Sequence, residues 1–399
     1  MSSENPRNIM RSWSLQTGWA TGPVREDKLV PPDYGRIRTP FLHTWREQVI
    51  DNNLNWDSQR FSIYLPESLR VVSGMYLKIE VPANSNSTAF KKYAGIYAMK
   101  EFKLLSAGQE VYTCNVADFL VDYMESLSNE ALKRFSETYL GHQDTPDSTA
   151  RTILVPILLP NSAYMGRAGG TRGHGIFPCF LGNNRAELQI TMNAANYLSS
   201  ATGEAPTSIA GRCSLMYHQV EMTANNILSY SDLRGAYSIV GRRFTELSNG
   251  WTAASANTEV VVKNQQPQGT VTEVFVMAVP EDADDSRHDR TAYILPVSFS
   301  VTADSIDQKV LDTSYKVKAE LWTNGFIPPS AFGSPGRLCF AAHASESSHQ
   351  YTGGYNMTLA SNVHFKFTFD VNVRYRLIAV QIQRVKINSL GKINAYLNG

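Results

Sequence analysis

Short runs of alternating apolar and polar residues recur along this chain. The clearest is Val363-His364-Phe365-Lys366-Phe367-Thr368-Phe369-Asp370, apolar at every odd position and polar or charged at every even one. Side chains of a strand point alternately to opposite faces, so the run is a strand with one dry and one wet face. Phe365, Phe367 and Phe369 could stack on bases or sugars if exposed. The polar residues on the opposite face favour burial instead, worth about 1.5–3 kcal/mol for each ring.

The same period marks a first series from Phe41 onward: Arg60–Leu65, Val71–Val81 with Gly74 inside it, and Tyr93–Leu105. Gly108 signals a turn before Glu110-Val111-Tyr112. The period then changes. Val116, Phe119, Leu120, Tyr123, Met124 and Leu127 recur at three and four residues, as in an amphipathic helix capped by Asn115. Ser128–Ala131 opens a second short helix ending near Leu140. Strand character resumes at Ile153–Leu159, Ile176–Leu181, Glu187–Met192 and Arg212–Met222.

Beyond a polar connector over residues 223–235, a second series reads as strands at Ala236–Leu247, Thr258–Lys263, Val271–Val279, Ala292–Val301, Tyr315–Trp322, Arg337–Ala342, Val363–Phe369 and Arg374–Ile387. Ser305–Leu311 reads as a short helix, and a change of phase between Ile382 and Val385 predicts a bulge. Each series holds roughly eight strands with glycine and proline turns, which argues for sandwiches and against a parallel sheet wound with helices. The series also end alike, an alternating strand followed by a longer one, a weak internal duplication.

The expected fold is all-β: two consecutive eight-stranded jelly rolls, a short helical insertion at about 115–140 in the first, and an extended N-terminal arm. The domains are the arm at 1–40, the first roll at 41–222, the connector at 223–235 and the second roll at 236–399. The arm carries Pro6, Pro23, Pro31, Pro32 and Pro40 and little periodicity, so it should lie on another surface.

With 37 basic and 36 acidic residues, the net charge is +1. That balance speaks against a protein that coats nucleic acid or binds it sequence-specifically. No secretory leader is visible at the polar N-terminus, and no run approaches the ~20 apolar residues that span a bilayer. Cys114, Cys179, Cys213 and Cys339 are widely separated and form no C-x-x-C pair, so they should be buried thiols.

No catalytic, cofactor-binding or metal-binding residue can be named. Gly166–Gly175 is rich in glycine, but it lacks the lysine of a phosphate loop and leads into a strand. His343 and His349 fit no metal spacing, and His218 and His364 sit on strand patterns. Glu281, Asp282, Asp284 and Asp285 lack the glycine and closing glutamate of a calcium loop. Asn86-Ser87-Thr88 and Asn356-Met357-Thr358 match the glycosylation pattern.

Three segments carry a resemblance to a known family. "YAGIYAMKEFKLLSAGQEV" (Tyr93–Val111) resembles a strand running into "I-G-G-Q" ahead of a helical insertion. "LMYHQVE" (Leu215–Glu221) is similar to an "L-Q-Y-H-E-V-E" strand that closes a first roll, and "GGYNMT" (Gly353–Thr358) resembles a "G-x-x-N-x-S" segment. Ala107, Gln219 and Thr358 depart from those patterns.

In this order and spacing, the segments resemble the double jelly-roll major capsid proteins of the lineage from tectiviruses and adenoviruses to nucleocytoplasmic large DNA viruses. The resemblance implies a homotrimer forming a pseudo-hexagonal capsomer in an icosahedral virion, assembled inside the host cell without making or breaking a bond. It further implies neighbouring capsomers, penton and minor capsid proteins as partners, and an internal membrane as a candidate beneath the shell. The alternative is a jelly-roll carbohydrate-binding or glycan-processing protein, because fold does not fix function.

Overall fold

The computed structural model describes residues 42–51, 60–65, 70–81, 94–106, 108–115, 150–157, 176–178, 185–194, 211–221, 238–264, 269–281, 293–323, 335–343, 351–387 and 393–397. The expected arm, the connector, the insertion helices and the 166–175 loop lie outside these residues. Asn115, read as a helix cap, is the last residue of a strand.

In the first half the elements are β1 (Leu42–Asp51), β2 (Arg60–Tyr64), β3 (Arg70–Val81), α1 (Ala94–Ala98), β4 (Met99–Ser106), β5 (Gln109–Asn115), β6 (Arg151–Ile157), β7 (Ile176–Pro178), β8 (Ala186–Met192) and β9 (Arg212–Glu221). They form two antiparallel sheets, β1-β9-β3-β6, with β7 beside β3, and β2-β8-β4-β5. Inward residues alternate along each strand: Phe61 and Ile63 on β2, Leu188 and Ile190 on β8, and Leu77 and Ile79 on β3 are all buried.

The second half begins with β10 (Ser238–Glu246), β11 (Thr252–Ala254), β12 (Val260–Asn264), β13 (Thr270–Pro280), β14 (Ser298–Ala303), β15 (Ile306–Leu311) and α2 (Ser314–Thr323). It continues with β16 (Gly336–Cys339), β17 (Ala341–His343), β18 (Tyr351–Gly353), β19 (Tyr355–Asn356), a 3-10 turn (Met357–Leu359), β20 (Val363–Thr368), β21 (Val373–Ile387) and β22 (Ile393–Leu397). Its principal sheets are β10-β21-β13-β16 and β12-β20-β14-β15. Numbering the eight principal strands of either half from one to eight gives the same two orders, 1-8-3-6 and 2-7-4-5. That shared order is the jelly roll, twice.

Val363, Phe365, Phe367 and Phe369 all point into the second core, as their alternation predicts. The Phe367 ring meets Phe299 at 5.9 Å, Phe369 at 5.7 Å and Tyr375 at 4.9 Å between centroids. Glycine is required at two turns. Gly108 has φ 76° in the β4–β5 turn, and Gly354 has φ 143° where a Cβ would lie 2.6 Å from Thr270 Cγ2.

Five local expectations are corrected. Ala94–Ala98 is a helical turn ahead of β4, not strand. Tyr293–Val297 is extended without a ladder, since Pro296 lacks an N–H and Ile294 and Val297 bond only singly, to Ala278 and Thr368. Ser305–Leu311 is no helix: Asp304 (φ 50°) and Ser305 (φ 67°) form a tight turn that folds β15 back on β14. Tyr315–Trp322 is helical, with Val317 and Leu321 buried one turn apart and the Thr313 hydroxyl accepting from the Lys316 N–H as a cap. Finally, β21 pairs with β10 and β22 without interruption, so no bulge lies between Ile382 and Val385. The register shift falls on β13, between Val271 and Glu273. Both faces of β21 are buried around Ile378–Gln381, which removes the alternation on which a phase can be read.

Candidate assembly surfaces

The side chains with chemical potential are absorbed by structure. Among the described residues, no group of three or more His, Cys, Asp or Glu side chains is placed to hold a metal ion. Cys114, Cys213 and Cys339 are buried thiols, and burial, with Asp51 adding, pushes Cys213 up to about 12; Cys179 lies outside the described residues. His218 packs against Trp45 with the rings tilted and 5.3 Å between centroids, and His364 is half-buried on the polar side of β20. The Asn356 side chain accepts from the Thr358 N–H and caps the 3-10 turn, while the Thr358 hydroxyl accepts from the Gly269 N–H. No helix among the described residues is long and apolar enough to cross a membrane.

What the sequence builds instead are surfaces. The first is internal: β5, an edge of the first roll, packs on β10 and β22 of the second. The Gln383 Nε2 donates to the Val111 carbonyl at 3.0 Å, a buried bond joining the rolls. Beside it, the Glu110 carboxyl is held below the usual carboxylate range, chiefly by the polar side chain of Thr113. Lys103, at 3.4 Å, and Arg243 across the contact add to this.

The second surface is the outward face of the second roll's sheet. There Phe275, Met277, Val279, Tyr293, Ile378 and Val380 form a buried cluster of their own, with Phe244 and Trp251 packed against it. Two ion pairs adjoin it. Glu273 and Arg337 meet at 3.3 Å with both side chains fully buried, and the Arg337 guanidinium stands 4.7 Å from the Phe275 ring centre. Arg376 forks onto Glu246, donating at 3.1 and 2.8 Å.

The third kind of surface is exposed and apolar. Trp45 and Val49 stand out from β1, the outer edge of the first roll, and Ile306 and Val310 from β15, an edge of the second. Tyr315 and Trp322 project from α2. Sequence reasoning singled out none of these as functional. The signal that was available is negative: β1 and β15 carry apolar residues without clean alternation, as edge strands awaiting a partner do.

No protein-family model matches the chain, and no curated protein matches it in sequence. Solved structures match over nearly its whole length. PBCV-1 VP54, fitted into a reconstruction of the virophage Sputnik, superposes with a TM-score of 0.67 at 11% identity, covering 90% of this chain and 97% of its own. The Faustovirus major capsid protein gives 0.63 at 10% identity, with 97% and 99% covered. The mavirus major capsid protein gives 0.52 at 9% identity, with 89% and 90% covered. At such identities the likeness is one of fold: this chain has the double jelly roll of those major capsid proteins.

Proposed function

We propose that the chain is a viral major capsid protein, that three copies form a pseudo-hexagonal capsomer, and that capsomers tile an icosahedral shell. The observation that carries this reading is the repetition of one complete roll within the chain, with the two rolls fastened edge to edge. Two like bodies per chain become six in a trimer, and six like bodies around an axis present a near-hexagonal outline that tiles with few kinds of contact.

In this reading the domains are 41–222 and 236–399, joined by 223–235, and the arm at 1–40 faces inward toward minor capsid proteins or a membrane. Penton proteins would fill the five-fold positions. The work done is assembly, driven by surface burial and symmetry, with no bond made or broken.

Electron microscopy of the purified chain tests it. Trimers with hexagonal outlines, gathering into sheets or closed shells, are expected. Dispersed monomers with measurable glycan binding would overturn the capsid reading in favour of a carbohydrate-binding protein. Deleting Met1–Pro40 should disturb shell assembly or inner-surface contacts, and unchanged shells would refute the inward arm.

A further inference from the structure

The chain holds three Asn-Gly pairs, at 249–250, 324–325 and 398–399, and the first lies within the described residues. It stands where the edge of the second roll's sheet is interrupted. There β10 follows β21 as far as Glu246, opposite Ile378, and β11 resumes the pairing at Thr252, opposite Tyr375. From Glu246 to Thr252 the chain takes six steps, while β21 takes three from Ile378 to Tyr375. The surplus residues have no partner in the ladder and are pushed off the edge.

Both feet of this excursion are fixed. The Leu247 N–H donates to the Leu377 carbonyl at 2.7 Å, and the Ser248 hydroxyl accepts from the Leu377 N–H at 3.0 Å. The Ser248 side chain thus stands in for strand backbone. Its own proton goes to the Gly250 carbonyl at 3.2 Å or the Glu246 carboxylate at 3.3 Å. On the far side, Trp251 packs against the buried cluster of Phe275 and Ile378, with the Arg376 guanidinium 5.8 Å from its ring centre. Asn249 and Gly250, between these anchors, are both exposed.

The tip is chemically open. Gly250 has φ 68°, and a Cβ built there would meet no heavy atom within 4 Å. The positive φ suits glycine, and the missing Cβ leaves the Gly250 nitrogen unscreened from the side chain before it. Among the described residues, no hydrogen bond engages the Gly250 N–H or the Asn249 amide. An asparagine amide beside a free, unscreened glycine nitrogen has an intramolecular nucleophile at hand, and holding two reacting groups together replaces a bimolecular encounter.

We propose that Asn249 is a site of spontaneous deamidation, with the Gly250 backbone nitrogen as the nucleophile. That nitrogen gives up its proton and bonds to Asn249 Cγ, closing a succinimide ring. The bond from Cγ to Nδ2 breaks, and Nδ2 leaves as ammonia. Water then adds to one of the two ring carbonyls. Opening one way gives aspartate, and opening the other gives isoaspartate, whose main chain runs through Cβ and Cγ. Water is consumed, ammonia is released, and nothing is oxidised or reduced. A neutral amide becomes a carboxylate three residues from Glu246, so the net charge of +1 falls to 0 in a converted copy. The site therefore records the age of each copy as a charge, whatever the chain assembles into.

The test holds the folded, full-length chain in mildly acidic and mildly alkaline buffer and samples it over time by ion exchange and peptide mapping. An acidic form should accumulate, several-fold faster in alkali, because the attacking nitrogen must lose its proton. The peptide containing Asn249 should gain about one dalton, the difference between an amide and a carboxyl, and divide into aspartate and isoaspartate forms. Asn249→Gln, whose longer side chain disfavours the ring, should lose that gain. A free peptide covering Glu246–Thr252 gives the rate without the fold, and the folded chain should convert within severalfold of it. Asn249 persisting as the amide in the folded chain while the peptide converts would overturn the proposal. So would an acidic form whose gain maps only to Asn324 or Asn398, or a gain that survives at position 249 in the Asn249→Gln variant at the wild-type rate.

Discussion

Phe367 is the residue on which the second core turns. It is fully buried and touches three other rings. Phe367→Ala should cost about 3–5 kcal/mol in chemical denaturation, and Phe367→Glu should leave no folded chain, because the carboxylate would have no partner there. This role was legible from the sequence, since one polar face beside one apolar face admits a single orientation. The role of Glu273 and Arg337 was not legible. Charged residues in a sequence read as solvated, and only the fold reveals these two paired with no exposed surface, Arg337 lying over the Phe275 ring. Arg337→Leu alone should cost about 3–5 kcal/mol by stranding a buried carboxylate, whereas replacing both residues by apolar ones should cost far less; a double-mutant cycle reads the difference. Glu110 supplies a pH dependence. Its carboxyl is depressed in the folded state by Thr113 first, then by Lys103 and Arg243. Its contribution is therefore complete above the ordinary glutamate range and is lost as the pH falls below that range, through the folded value. Glu110→Gln should flatten the acid limb of the stability curve and leave the neutral limb unchanged in shape.

At the scale of elements, legibility followed the cleanliness of the alternation. Half-buried strands such as β2, β8 and β20 were readable because their burial has period two along the whole run. Elements that break the pattern were misread. In α2, the segment Tyr315-Lys316-Val317-Lys318-Ala319-Glu320-Leu321 alternates like a strand, yet its buried residues are Val317 and Leu321. Tertiary bonds favour the helix: Glu320 accepts from Lys309 and from the Cys339 N–H, tying α2 to β15 and β16. In β15 the polar run Asp307-Gln308-Lys309 hides an edge strand, and the turn before it lacks the usual Asn-Gly signal. Asp304 and Ser305 both hold positive φ, and the Asp304 carboxylate accepts from the Ser361 and Asn362 N–H groups. Ser305→Gly relieves the backbone while keeping those bonds, and should raise stability by about 1 kcal/mol in urea titration.

For the whole molecule, the order of elements was the legible part. Two series of similar length ending in similar strands proved to be two rolls of one topology. The joint between the rolls was not legible, because it depends on which edges are left bare. Nor was the buried outward face of the second roll, whose strands are apolar on both sides and so lose their period. In the proposed function, three copies of this fold assemble into one capsomer. The native mass of the full-length chain at micromolar concentration tests that account most directly. A single species at three times the chain mass is predicted, and a monomer that persists as concentration rises would contradict it.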